Sequence, residues 1–183
     1  VIVDSLSKSH AMPGFRLGFA VMPPQLRDTF IKIAVNVYSC ITTFAQYAAV
    51  EALTGPQDCV GQMRDEYAAR TKLVSAQLDK VPGMNCAAPS GAFYVFPDVT
   101  EMLAAVGNAS DPGATSKLAD RMLYEAFVAL PPGTDFGPRG AGSIRVSCAT
   151  SRANLQIAVD RITGFAEKIM SGSAASQKET VLT

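Results

Sequence analysis

The sequence predicts an α/β unit followed by a smaller α+β lobe, with one long helix as the joint between them. Three observations carry this. Buried-strand patterns at residues 1–4 and 15–22 precede two helical periods that end at Gly55-Pro56. One helical stripe then runs from about Gln57 to Lys80. After Pro82-Gly83 the pattern shortens to small strands and loops, and it closes on an amphipathic helix.

Residues 1–4 are apolar and β-branched enough to predict a strand, and 5–14 a loop. Residues 15–22 predict a second strand, interrupted by Arg16 and Gly18. Pro23-Pro24 opens a helix, because proline fits a first turn. Its Leu26, Phe30, Ile33 and Val37 share one helical face. A second helix is expected from about Thr43 to Leu53. In the joint, Val60, Met63, Tyr67, Val74, Leu78 and Val81 fall on one stripe, and about 24 residues of helix would be about 36 Å long.

Beyond it, residues 84–88 and 92–96 predict short strands, and 97–114 a loop with one helical turn at 101–105. Leu118, Met122, Leu123, Phe127 and Leu130 mark another helix, with a passage into strand near 127–130. Residues 131–134 and 137–142 are loops, and 143–148 alternate as a strand. Ser151 can cap a last helix that carries Leu155, Val159, Ile162, Phe165 and Ile169 on one face. After Met170 the composition turns small and polar, which predicts a frayed tail. The chain starts inside a strand pattern without Met, which is expected of the C-terminal part of a longer protein.

Composition bounds the chemistry. Of 183 residues 48% are hydrophobic and 17% charged, too apolar for a disordered chain. Sixteen basic residues balance sixteen acidic ones, which argues against a nucleic-acid or anionic-membrane partner. No apolar run reaches the ~18 residues of a membrane span. Four scattered cysteines and one histidine predict neither a metal site nor a disulfide framework, and place the chain in a reducing cytoplasm. The cysteines read as small apolar filler.

The informative stretch is SLSKSHAMPGFRLG, residues 5–18. A lysine follows a strand in a loop of small residues, and an arginine follows eight residues later. A lysine above an apolar floor loses solvation, and its neutral amine can form a Schiff base with a carbonyl. An arginine and a hydroxyl supply the donors a phosphate dianion needs. A surface lysine and an ordinary arginine ion pair would give the same spacing.

The whole string resembles the cofactor-lysine signature of the class I/II aminotransferases, the fold type I enzymes of pyridoxal 5′-phosphate (PLP) of aspartate aminotransferase type. Three more motifs follow in that family's order: SGAFYVFP at 90–97, LPPGTDFG at 130–137 and SIRVSCATS at 143–151. The resemblance implies the end of a mostly parallel-sheet large domain over residues 1–70, the remainder of the connecting helix at 71–81, a small α+β domain at 82–170 and a flexible tail at 171–183. It implies that Lys8 is the catalytic lysine that bonds the cofactor aldehyde, that Arg16 and Ser5 hold the cofactor phosphate with Ser7 beside them, and that Arg145 holds the substrate carboxylate. It implies amino transfer between an L-amino acid and a 2-oxo acid, in a homodimer. The family's aspartate for the pyridine nitrogen precedes its lysine and has no counterpart here, so this chain alone is expected to be inactive. Pro13 stands where many relatives carry Thr or Ala.

Other readings stay open. The same fold serves PLP lyases, synthases, decarboxylases and regulator domains, and a truncated remnant would carry the same motifs. His10 lies beside Lys8 but suits a packed, hydrogen-bonded role equally. Residues 137–142 mimic a phosphate loop with no helix directly after it. Thr42 and Thr43 suit either a partner subunit's site or a helix cap. The aromatic residues at 93, 94 and 96 are expected in the core.

Overall fold

The computed structural model describes residues 1–107 and 111–180, with side chains to residue 172. The chain divides into two compact units, Val1–Asp65 and a second from Glu66 onward.

In the first unit β1 (Ile2–Ser5) pairs antiparallel with β2 (Gly18–Val21), in a register from Ile2↔Val21 to Ser5↔Gly18. The expected mostly parallel sheet is therefore not what these strands make among the described residues. Their connection holds only the four-residue helix α1 (Leu6–Ser9) and the 3-10 turn Pro13–Phe15, with no helix long enough to cross back over a sheet face. α1 itself replaces part of the expected loop, because Ser5 caps it: its Oγ accepts from the Ser7 N–H at 3.1 Å. β2 begins later than expected, since Phe15 closes the 3-10 turn and Arg16 takes a left-handed conformation, φ 52°.

Helices α2 (Pro24–Tyr38) and α3 (Thr43–Thr54) follow as predicted. The unit's core is small: Leu6, Leu17, Ala45 and Ala49. The predicted apolar face of α2 is exposed instead, and no residue of that helix is buried. The long helix α4 (Asp58–Leu78) matches the predicted stripe.

The second unit holds the main core, in which Leu78, Val95, Met102, Met122, Ile144 and Ile162 are at most 0% exposed. Its sheet is the antiparallel pair β3 (Tyr94–Val95) and β4 (Val146–Ser147), with Tyr94↔Ser147 and Val95↔Val146. The predicted strand at 84–88 reduces to a single bridge, Asn85↔Asp98. α5 (Thr100–Ala105) is the helical turn predicted inside the 97–114 loop, and α6 (Ala114–Ala126) starts where that loop ends; residues 108–110 fall outside the described residues. The strand expected near 127–130 does not form: Phe127 ends α6 in the left-handed region, φ 57°, and its N–H returns to the Met122 carbonyl. The loops at 131–142 tighten into 3-10 turns at Gly133–Phe136 and Pro138–Gly140. Gly137 between them has φ 115°, a conformation that glycine adopts without a Cβ penalty.

α7 (Arg152–Thr180) is capped by Ser151, whose Oγ accepts from the Asn154 N–H at 3.2 Å. All five predicted core residues of this helix are buried. The helix continues past Met170, where a frayed tail was expected; the Ala, Gln, Lys and Glu there are good helix formers. Residues 181–183 of that tail lie outside the described residues. Among the described residues no helix is long and apolar enough to cross a membrane.

Candidate functional site

Two groups of polar side chains are candidates for the chemistry, one in each unit. The first sits where the β1–β2 ladder ends. Ser5 is the last residue of β1 and the cap of α1, so Ser7 and Lys8 follow on one helical turn. The Ser5 hydroxyl donates to Ser7 Oγ at 2.8 Å and lies 3.2 Å from the Leu17 carbonyl oxygen. That second contact ties Ser5 to the backbone one residue past Arg16. Close packing makes this possible: a Cβ on Gly18 would stand 2.9 Å from the Asp4 carbonyl oxygen. Arg16 donates from Nη1 to the Pro13 carbonyl at 3.0 Å. The fold thus gathers Ser5, Ser7, Lys8 and Arg16 at one end of one hairpin.

Lys8 is exposed, with Leu6 buried at the start of its turn, so the desolvated setting expected for it is not the one this unit provides. Asp4 also stays on its own strand, where its Oδ1 accepts from the Ser5 N–H at 2.7 Å. His10 has structural partners: Nδ1 shares a hydrogen bond with Ser9 Oγ at 2.9 Å, and Nε2 with Gln57 Oε1 at 3.4 Å. Thr42 precedes α3 but makes no side-chain capping bond. Cys40 and Cys59 are exposed, which corrects their reading as core filler, while Cys86 and Cys148 are buried as that reading requires.

The second group surrounds Arg145. Side chains alternate across a strand, so Ile144, Val146 and Cys148 enter the core while Arg145 points to the other face. Register places Tyr94 on that face too, opposite Ser147. The Arg145 Cζ lies 4.5 Å from the Tyr94 ring centroid and 4.2 Å from that of Phe136. Its Nε is buried and makes no hydrogen bond among the described residues. Leaving a buried charged donor unpaired costs about 1–3 kcal/mol or more.

Aromatic contacts run on from this point. Phe93 meets Tyr94 at 4.5 Å and Tyr67 at 5.3 Å, and Arg70 lies over Tyr67 at 5.4 Å. Arg70 and Arg152 both bind Glu66, at 2.6 Å each. Hydrogen bonds from Arg152 first and Arg70 second hold the Glu66 carboxyl down at about 2.

Tyr94 and Phe136 are the residues that sequence reasoning missed. Tyr94 was expected in the core and is only half-buried; Phe96, expected there too, is 42% exposed. The available signal was the alternation itself. With Val95 and Val146 facing inward, Tyr94 and Arg145 must face outward together.

The chain matches the model of the family described as aminotransferase class I and II over residues 1–162. An aspartate aminotransferase of Geobacillus stearothermophilus is 39% identical over 167 residues, which cover 91% of this chain and 41% of that protein. An asparagine–oxo-acid transaminase of Streptococcus mutans is 37% identical over 168 residues, covering 92% and 41%. Among solved structures, the aspartate aminotransferase from Rhizobium meliloti has a TM-score of 0.81 at 32% identity, over 90% of this chain and 41% of that one. The chain thus spans 41% of the length of these relatives. With the hairpin lysine, the stacked arginine and this match in sequence and fold, the chain belongs to the class I and II aminotransferases.

Proposed function

We propose that this chain is part of a pyridoxal 5′-phosphate-dependent aminotransferase, which moves an amino group between an L-amino acid and a 2-oxo acid. We assign it to the cytoplasm and expect it to work as a homodimer. The observation that carries the reading is Arg145, a guanidinium held between two rings with a buried, unpaired Nε. A planar fork with an open rim suits the α-carboxylate of an amino acid.

The donor set of the hairpin fits PLP. Arg16, with the Ser5 and Ser7 hydroxyls, offers charge and short hydrogen bonds to a phosphate dianion. Lys8 offers the amine. When bound, PLP supplies an aldehyde that captures amines and a ring that draws electrons from the substrate Cα. Lys8 Nζ is the general base that takes the Cα proton and the general acid that returns one. Arg145 holds the carboxylate end of the substrate in one orientation. Asp4 sits on the strand before Lys8 and accepts from the Ser5 N–H, so we do not assign it as the carboxylate for the ring nitrogen. These 183 residues alone are therefore expected to turn over poorly.

The test is covalent trapping. The full-length parent is loaded with PLP and reduced with borohydride, and its peptides are mapped. The label should fall on Lys8, and Lys8→Ala should lose transamination while still binding PLP. A label on another lysine would overturn the assignment. Arg16→Ala should weaken PLP by about 10- to 150-fold, the worth of one charge-assisted contact. Unchanged PLP affinity in that variant would make Arg16 structural.

A further inference from the structure

We propose that Tyr94 and Phe136 are positioning residues, two jaws that clamp the Arg145 guanidinium so that a carboxylate reaches it only edge-on. The proposal rests on the reading of Arg145 as the carboxylate site. Both ring centroids lie within 4.5 Å of Cζ, well inside the ~6 Å range of cation–π attraction. In this arrangement each ring takes one face of the group. The donors of a guanidinium all lie in its plane; Nε is buried, which leaves the two terminal nitrogens as the edge a carboxylate meets.

Three consequences follow for recognition. A carboxylate lying in the same plane accepts two parallel N–H···O bonds at that edge. The rings exclude water from the faces, which strengthens the charge-assisted bonds at the rim. They also hold a long side chain in one geometry before the ligand arrives, so less rotamer entropy is lost on binding.

The two jaws are mounted differently. Tyr94 belongs to strand β3 and is fixed by its pairing with Ser147. Phe136 ends the 3-10 turn Gly133–Phe136 and is 50% exposed. That turn is pressed against its neighbours. A Cβ on Gly133 would run into the Gly140 carbonyl oxygen and stand 2.7 Å from that of Ser143. Phe96 adds an edge-on contact to Phe136, with centroids 6.2 Å apart and ring planes at 80°.

The experiment uses the 183-residue chain labelled with ¹⁵N-arginine, with propionate as the probe. The Arg145 Nε–H resonance should be displaced by the ring currents and should titrate with propionate. Arg145→Lys should lose that binding. Phe136→Leu keeps apolar volume but removes the π face. It should move the resonance to the position of an ordinary arginine and weaken propionate by about 3- to 25-fold, the range expected for one cation–π contact. Phe136→Tyr should restore both readouts, which a merely structural role would not require. Tyr94→Leu should act in the same direction; if it fails to fold, the Phe136 series decides. If Arg145→Lys binds propionate as well as the unchanged chain, the carboxylate reading itself fails. If Arg145→Lys loses the binding but Phe136→Leu keeps both resonance and affinity, the clamp is overturned and the carboxylate reading stands.

Discussion

Two helices, one in each unit, carry similar apolar stripes and meet different surroundings. α7 buries Leu155, Val159, Ile162, Phe165 and Ile169 against the main core. α2 leaves Leu26, Phe30, Ile33 and Val37 all at least 40% exposed. The units differ in the same way. The first gathers four buried residues, two of them alanines, while the second packs α4 to α7 around its small sheet. A helical stripe therefore records that a face is suited to burial and says nothing of what covers it. Stability should reside where the cover is present, and that contrast can be broken by experiment.

Core truncation is the strongest way to test it. Leu78 is 0% exposed at the end of α4, and Leu78→Ala should cost about 2–5 kcal/mol, from lost transfer energy and the cavity left behind. Ile33, 56% exposed on α2, should lose less than about 1 kcal/mol on the same change. Urea midpoints of the two variants measure both. Equal losses would mean that α2 is covered in solution.

The cysteines offer a second contrast, because Cys40 and Cys59 are exposed and Cys86 and Cys148 buried. Burial first, and then the charge of Asp79, push the Cys86 thiol from 9.0 up to about 11. That lowers its thiolate fraction near neutral pH by about 100-fold, before access is considered. Iodoacetamide should label Cys40 and Cys59 in the folded chain, and Cys86 and Cys148 only after urea, as read by peptide mass. Early labelling of Cys86 would show that the second unit opens readily.

Elements set by local rules could be read from the sequence. Proline at the first turn gave the start of α2, Ser151 gave the cap of α7, and Gly55 and Pro82 bounded the long helix closely. Elements decided by pairing could not. Residues 84–88 have strand composition, yet only Asn85 finds a partner, and Phe127 ends its helix in a conformation that no periodicity predicts. The site divides in the same way. Ser5, Ser7, Lys8 and Arg16 lie close in sequence, so one motif revealed them and one hairpin gathers them. The rings at Arg145 come from residues 94 and 136, and only strand register and a compressed turn bring them to it.

A smaller effect is expected from acid. Two arginines hold the Glu66 carboxyl at about 2, below its ordinary 4.5. A carboxyl whose folded value is depressed adds stability that is fully present above the unfolded value and is lost as pH falls through the folded one. The brace should therefore weaken between about 4.5 and about 2, and sooner in high salt, since the group is solvent-screened. A ¹³C-carboxyl titration of Glu66 should place its midpoint near the lower figure, and Glu66→Gln should flatten that part of the stability profile. A midpoint at the ordinary value would mean that the brace is absent in solution.

The smallest contrast concerns helix caps, and it again separates the units. Ser151 stands before α7, and its Oγ accepts from the Asn154 N–H, one of the four donors that a helix start leaves without a partner. Thr42 stands before α3 with the same kind of hydroxyl but makes no capping bond. Ser151→Ala removes an acceptor in use and should cost about 1 kcal/mol. Thr42→Ala removes one that is not in use, so its effect should stay within about 0.5 kcal/mol. The helix behind each cap sharpens the difference. α7 is tied to the main core along five buried residues, so fraying at its start is felt by the whole second unit. α3 is held by Ala45 and Ala49, which offer little area to disturb. Urea midpoints for the two variants decide the matter, with Ser151→Thr as the control that keeps a hydroxyl and should recover most of the loss. If Thr42→Ala costs as much as Ser151→Ala, the Thr42 hydroxyl caps α3 in solution, and the first unit is better tied than its small core implies.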